Sequence, residues 1–321
     1  MRRAMIVHLG AHGATLAVST LGATLLSWDP GVGASVIDGY VSETEQATLD
    51  GYRCAVLAPW ANRIARGEWK DGDTLRRSPL ADAPYSGGPD DRALHGLLVT
   101  QEFSYESTDD SLEFSTVLPA GDMFPADLEV QVRFTITAKR ELQFSVRARN
   151  ISSRSVPVAL GWHPYFAVTH LDDVWFDVGA AQRVLVDDGL IPLPGEAACG
   201  PRIEGRQVVT PNDDYAMGHL EHTENGWARA ELYTGERLIR IAARTNTPEQ
   251  QIFHVFAADG LVRRARQDVA FEPCTAMADA YNRPDVRAEI ELAPREVRTL
   301  EVHLAVRDVA DSETTGDTDN D

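Results

Sequence analysis

The chain has 321 residues, 43 % of them apolar and 25 % charged, a composition ordinary for a folded chain that buries a large core without staples. Thirty Lys and Arg stand against 49 Asp and Glu, a net charge of −19, which argues against nucleic acid or an anionic membrane as partner. No stretch approaches the ~20 apolar residues of a membrane span, and three cysteines, Cys54, Cys199 and Cys274, are too far apart and odd in number for a disulfide framework or a thiolate zinc site.

In chain order, the first apolar run breaks at His8, too short for the 7–15 apolar residues of a secretory signal. It predicts a first strand, Ala4 to Leu9, and a cytoplasmic protein. Ser42 to Leu49 predicts a short helix, with Ser42 as cap and Glu45 three residues on. Arg76 to Asp91, rich in Pro, Gly and Asp, predicts a long loop of the kind that carries function. Beyond it the period is two. Leu112, Phe114 and Leu118 suggest one strand. Leu128, Val130, Val132, Phe134 and Ile136 alternate with polar residues, as do Leu142, Phe144, Val146 and Ala148, and Leu300, Val302, Leu304 and Val306. Such alternation marks antiparallel sheets with one face on a core. The fold class expected is all-β, a large antiparallel β-sandwich with few short helices. Residues 1–307 read as one catalytic domain, and 308–321, with six acids and no base, as an acidic disordered tail.

Several familiar motifs fail. Gly31-Val-Gly lacks the third glycine of a dinucleotide loop, and no lysine follows a glycine as a phosphate loop needs. His219 and His222 lie near Glu221 and Glu224, but nothing there orders them as ligands, so the stretch reads as a solvated turn rather than a metal site. Four segments remain. Ala58-Pro-Trp-Ala-Asn62-Arg63-Ile-Ala-Arg-Gly67 offers fixed donors for hydroxyl oxygens, or else an Asn turn with a surface Arg. Ala93-Leu-His95-Gly96-Leu holds a histidine that is either a satisfied core group or one placed where backbone comes close. Leu160-Gly-Trp162-His163-Pro164-Tyr165-Phe166 wedges a histidine among aromatic rings, a core cluster or a sugar-stacking surface, with His163 kept extended by Pro164. In Val269-Ala-Phe-Glu272-Pro-Cys-Thr275, Glu272 is a strand-end carboxylate or a partly desolvated general base. Asp279-Ala-Tyr-Asn282 completes this fourth segment.

The order Asn-Arg-Ile, Leu-His-Gly, Gly-Trp-His-Pro-Tyr-Phe, Glu-Pro-x-Thr and Asp-Ala-Tyr-Asn, spanning residues 58 to 282, resembles the aldose 1-epimerase (galactose mutarotase) family, with most likeness to its bacterial branch. The resemblance implies a β-sandwich with a sugar-binding cleft that interconverts the α and β anomers of a free aldose. It implies Glu272 as general base and His163 as general acid, meeting in one pocket about a pyranose apart. It further implies His95 near the ring oxygen, Asn62 and Arg63 on hydroxyls, and Asp214 (or its neighbour Asp213) on the substrate. Trp162 and Tyr165 are the expected stacking rings. No cofactor and no metal are implied, because no redox change occurs. A monomer or weak dimer is expected. Three alternatives stay open: a sugar-phosphate epimerase using Arg63, Arg66, Arg76 and Arg77; a carbohydrate-binding protein without turnover; and a metal-dependent isomerase with His95, His163 and Glu272 as ligands.

Overall fold

A computed structural model describes residues 4–77 and 93–308. Two antiparallel sheets make the body. The first has nine strands. Across the sheet they run Gln207–Val208, Trp175–Asp177, Ala228–Tyr233, Arg237–Thr245, Val297–Asp308, Glu141–Asn150, Leu128–Ala138, Ser111–Leu118 and Ser104–Ser107. The second runs Cys199–Glu204, Ala180–Val184, Asp214–Gly218, Ile252–Phe256, Asp268–Cys274, Gly161–Trp162 and Val56–Leu57, and Tyr165–Ala167 also pairs with Asp268–Cys274. The fold is the expected all-β sandwich.

The alternating sequences explain the first sheet. Phe144 stands opposite Phe134 on one side and Val302 on the other, and all three are buried on the same face, as a period of two requires. That face packs on the second sheet. Trp162 stacks on Phe144 with ring centroids 4.4 Å apart, and Phe271 meets Phe176 at 5.5 Å, so aromatic contacts close the space between the layers.

The short helix Glu43–Thr48 forms where expected. Ser42 Oγ accepts from Glu45 N at 3.1 Å, while Glu45 Oε2 accepts from Val41 N at 2.8 Å. The side chain reaches one residue further back than in the usual capping box. The first strand is Ile6–Ala11, two residues later than predicted at either end. Arg76 and Arg77 belong not to a loop but to the strand Thr74–Arg77, paired with Glu68–Asp71; the rest of that predicted loop lies outside the described residues. Asp308 closes the strand Val297–Asp308, opposite Arg237, and 309–321, the rest of the predicted tail, also lies outside them.

Candidate active site

The strand Asp268–Cys274 is buried along its whole length. Pleating sends Val269 and Phe271 toward the core between the sheets, and Glu272 to the opposite face. There His254, from Ile252–Phe256, stands directly across from Glu272, with Ala216 next in the row. Asp214, two residues before Ala216, shares that face. The same alternation decides the aromatic segment. Trp162 turns into the core and His163 turns away from it. Trp162 was expected to stack on a sugar; its burial against Phe144 and Phe134 makes it a core ring instead.

Two loops complete the surface. Asn62 and His95 both adopt left-handed backbone, φ 55° and 60°, uncommon outside glycine. The loops are laced together: His95 N donates to Asn62 O at 2.9 Å, Ile64 N to Ala93 O at 3.2 Å, and Leu97 N to Ala58 O at 2.7 Å. Gly96 is required here, because a Cβ would lie 2.1 Å from the Ala58 oxygen. The fourth segment anchors the first. Asp279 Oδ1 accepts from Ala65 N at 2.9 Å, and Tyr281 OH donates to Pro59 O at 2.8 Å.

Asn62, Arg63, His95, His163, Asp214, Tyr165 and Glu272 thus line one cavity of about 370 Å³. His163 Nε2 lies 3.3 Å from Glu272 Oε1. The two groups are in direct contact, not a pyranose apart. The His163 backbone is pinned by Cys54 N and Ala55 O, each at 3.0 Å. Its ring stacks on Tyr165 at 5.0 Å with an interplanar angle of 6°, and Tyr165 OH donates to Gly51 O at 2.8 Å. His95 meets His163 edge-on at 4.9 Å and Tyr52 at 4.8 Å. Arg63 Nη1 donates to Asn62 Oδ1 at 3.0 Å, and its Nη2 is 3.7 Å from Asp214 Oδ2. Asp213 is not on this surface; its carboxylate accepts from Thr210 N at 2.7 Å.

Burial sets the electrostatics. It pushes the Glu272 carboxyl up to about 7, against the opposing charge of His254. It pushes the His163 imidazole down to about 3, and the charge of His254 acts the same way. His95 is held well below the ordinary imidazole range, first by burial and then by His163 and Arg63. For Asp214 burial works upward, but the hydrogen bond and charge of His254 outweigh it and hold the carboxyl down at about 2. Glu272 Oε2 and His163 Nδ1 meet no hydrogen-bond partner among the described residues. They are polar atoms kept dry with their capacity unspent.

Sequence reasoning did not single out His254 or Tyr52. His254 sits in Ile252-Phe-His-Val-Phe, where a lone histidine in an apolar strand gives no signal until the neighbouring strands are known. His219 and His222 do not converge: His219 Nε2 is 3.4 Å from Cys199 Sγ, and His222 Nε2 is 3.1 Å from Gln251 Oε1. Arg76 pairs with Asp71 at 2.7 Å and Arg77 with Glu68 at 2.7 Å, and neither lines the cavity. No helix of the described residues is long and apolar enough to cross a membrane.

Solved structures share the fold across nearly the whole chain. A GalM/aldose epimerase homologue from C. elegans superposes with a TM-score of 0.77 at 16 % identity, covering 96 % of this chain and 100 % of the other. A galactose 1-epimerase from Lactobacillus acidophilus gives 0.70 at 17 % identity, covering 95 % and 99 %. In sequence, a maltose epimerase from Levilactobacillus brevis is 29 % identical over 196 residues, 56 % of this chain and 55 % of its own length. An uncharacterised protein of Escherichia coli is 29 % identical over 140 residues, 43 % of this chain and 44 % of the other. The chain spans about half the length of the curated relatives it matches. The model of the family described as aldose 1-epimerase matches residues 5–305, and with that coverage the chain belongs to the aldose 1-epimerase family.

Proposed function

We propose that the protein is an aldose 1-epimerase that interconverts the α and β anomers of a free aldose, with Glu272 and His163 as its acid–base pair. The observation that supports this is the contact between a buried carboxylate and a buried imidazole, 3.3 Å apart, on a cavity that Asn62, Arg63, His95 and Asp214 also line, among apolar residues such as Leu94 and Phe256. Both oxygens that must exchange protons, the C1 hydroxyl and the ring oxygen, are bonded to C1. Two adjacent groups therefore serve them together, and no separation by the width of a ring is needed.

With Glu272 near 7 and His163 near 3, the pair holds one proton between these limits, and in the empty cavity burial puts it on Glu272. The reacting arrangement has the same total, with Glu272 ionised and His163 protonated. Glu272 takes the proton of the C1 hydroxyl and His163 gives its proton to the ring oxygen. The C1–ring-oxygen electron pair goes to that oxygen and C1 becomes a carbonyl carbon. Both protein groups are now neutral, the form that burial favours, so the dry site assists ring opening. Rotation about C1–C2 presents the other carbonyl face, and the same transfers in reverse close the ring. Asn62, Arg63, His95 and Asp214 hold the hydroxyls. Tyr165 lines the wall and backs the His163 ring.

Among the described residues Arg63 is the only cation lining the cavity, and Asp214 faces it. A doubly charged phosphate would want more positive charge than this, so the unphosphorylated sugar is the better-supported substrate. We take residues 1–307 as one catalytic domain, cytoplasmic and a monomer or weak dimer. The test is polarimetry on a panel of freshly dissolved pure anomers, with sugar phosphates as competitors. Accelerated mutarotation of at least one free aldose is expected. No acceleration across the panel would reject the reading, and acceleration of sugar phosphates alone would replace it.

A further inference from the structure

The mechanism leaves a buried histidine beside Glu272 unused. His254 is 7 % exposed, and its Nε2 is 2.7 Å from Asp214 Oδ1. Its Nδ1 has no partner among the described residues, so Asp214 alone holds the ring by hydrogen bonding. It also stands directly opposite Glu272 in the strand register, a placement that brings the two Cβ atoms to about 5 Å. Acid, base and acid thus meet on one face of three neighbouring strands, with Glu272 directly across from His254 and Asp214 two residues along from Ala216, the other register partner of His254. The charged groups around His254 are Asp214 and Glu272 from its flanking strands and Arg63 from the 58–67 loop, with His163 and His95 beyond.

We propose that His254 is a positioning residue: it fixes the Asp214 carboxylate and supplies the positive charge that lets a fully buried glutamate serve as a base. This rests on the reading of Glu272 given above. A glutamate with only apolar neighbours would stay protonated far into the alkaline range, since an isolated ion in a dry site is costly. The imidazolium answers that cost without touching the substrate, because His254 lies behind the cavity wall rather than in it. Its hydrogen bond to Asp214 raises the His254 value despite burial, and Glu272 receives the resulting charge.

The test separates charge from hydrogen bonding. His254→Gln keeps a donor toward Asp214 and removes the charge. Titration of the 13C-labelled Glu272 carboxyl by NMR, in the substrate-free protein, is expected to show its midpoint about one pH unit higher in the variant than in the wild type. The alkaline limb of the anomerisation profile moves with it. An unmoved Glu272 midpoint in folded His254→Gln overturns the proposal. Where that variant does not fold, the wild-type His254 ring decides: it must be protonated at pH 6.5, and a neutral ring at that pH overturns the proposal. A wild type that anomerises no sugar rejects the proposed function, while the carboxyl titration still decides the role of His254.

Discussion

On the outer face of the nine-stranded sheet, Arg240 pairs with Glu231 at 3.0 Å and Arg244 with Glu301 at 2.8 Å, all four side chains about two-fifths exposed. On the cavity face of the eight-stranded sheet, Glu272 is 2 % exposed and His163 4 %, and the contact between them leaves one oxygen and one nitrogen without a partner among the described residues. Water carries most of the cost of the first set and little of the second. A charge pair on the outer sheet can be lost with small consequence, whereas each charge on the inner sheet must be matched by a neighbour or held neutral. The proposed chemistry suits the second sheet, because there moving a proton changes the energy of the site by several kcal/mol.

The contrast sharpens within one strand. Asp268 and Glu272 lie four residues apart on the same face. Asp268 meets Arg53, whose side chain is fully buried and also reaches Asp38 at 3.0 Å. Removing that cation is the largest effect expected. Arg53→Met leaves the fully buried Asp268 without its cation, while Asp38 keeps Arg263 at 3.0 Å, and should cost about 3–5 kcal/mol in urea unfolding. A loss below about 1 kcal/mol would show that this network is as wet as the outer sheet.

Among the described residues Glu272 has no Arg or Lys in contact, and its expected effect falls on rate. Glu272→Gln should lower kcat by at least ~10²-fold, the low end for general acid–base catalysis, with the fold retained by circular dichroism. Normal anomerisation by a pure sample would refute the assignment. The wild-type profile of kcat/KM should be bell-shaped, its limbs belonging to the pair rather than to either residue. The alkaline limb lies near the Glu272 value of about 7, where the shared proton is lost, and the acid limb lies far lower, near that of His163 at about 3.

The same substitution makes an opposite prediction for stability. The Glu272 value is raised from 4.5 to about 7 by burial, so the folded state binds the extra proton. The stability linked to that proton is fully present below pH 4.5 and lost as pH rises through 7. His163, lowered from 6.5 to about 3, works the other way between those limits, since there the unfolded chain binds more protons. The two slopes offset each other over pH 4.5–6.5, and only a comparison of variants isolates Glu272. At pH 8 Glu272→Gln should be more stable than wild type, by on the order of 3 kcal/mol; equal stability would mean that water or a cation already balances the carboxylate. An active group held under strain is expected to show such a gain when it is removed.

Legibility in the sequence divides along the same line. The outer sheet could be seen because water on one face and core on the other write a period of two into 128–136, 142–148 and 300–306. Asp268–Cys274 is buried on both faces, so periodicity says little there, and Glu272 came to notice through its proline and its family resemblance. Trp162 was misjudged because a motif gives residue order but not facing; pleating turns adjacent side chains apart, and only His163 reaches the cavity. His254 went unnoticed for a related reason. Its role depends on strands at 214 and 272 that lie beside it in space, and register across a sheet is not written in any one strand.

The smallest effect tests the outer sheet itself. Glu231 and Arg240 are direct cross-strand partners, the geometry in which opposite charges attract most on a sheet. Both heads are half in water, and holding two long side chains in one arrangement costs rotamer entropy that offsets the attraction. A double-mutant cycle of Glu231→Ala and Arg240→Ala should therefore give a coupling of about 0.2–1 kcal/mol, shrinking toward zero in 1 M salt as the screening length falls to about 3 Å. A coupling above ~2 kcal/mol that survives salt would mean that this face is covered in solution, and its charges would then obey the rules of the cavity rather than those of an open surface.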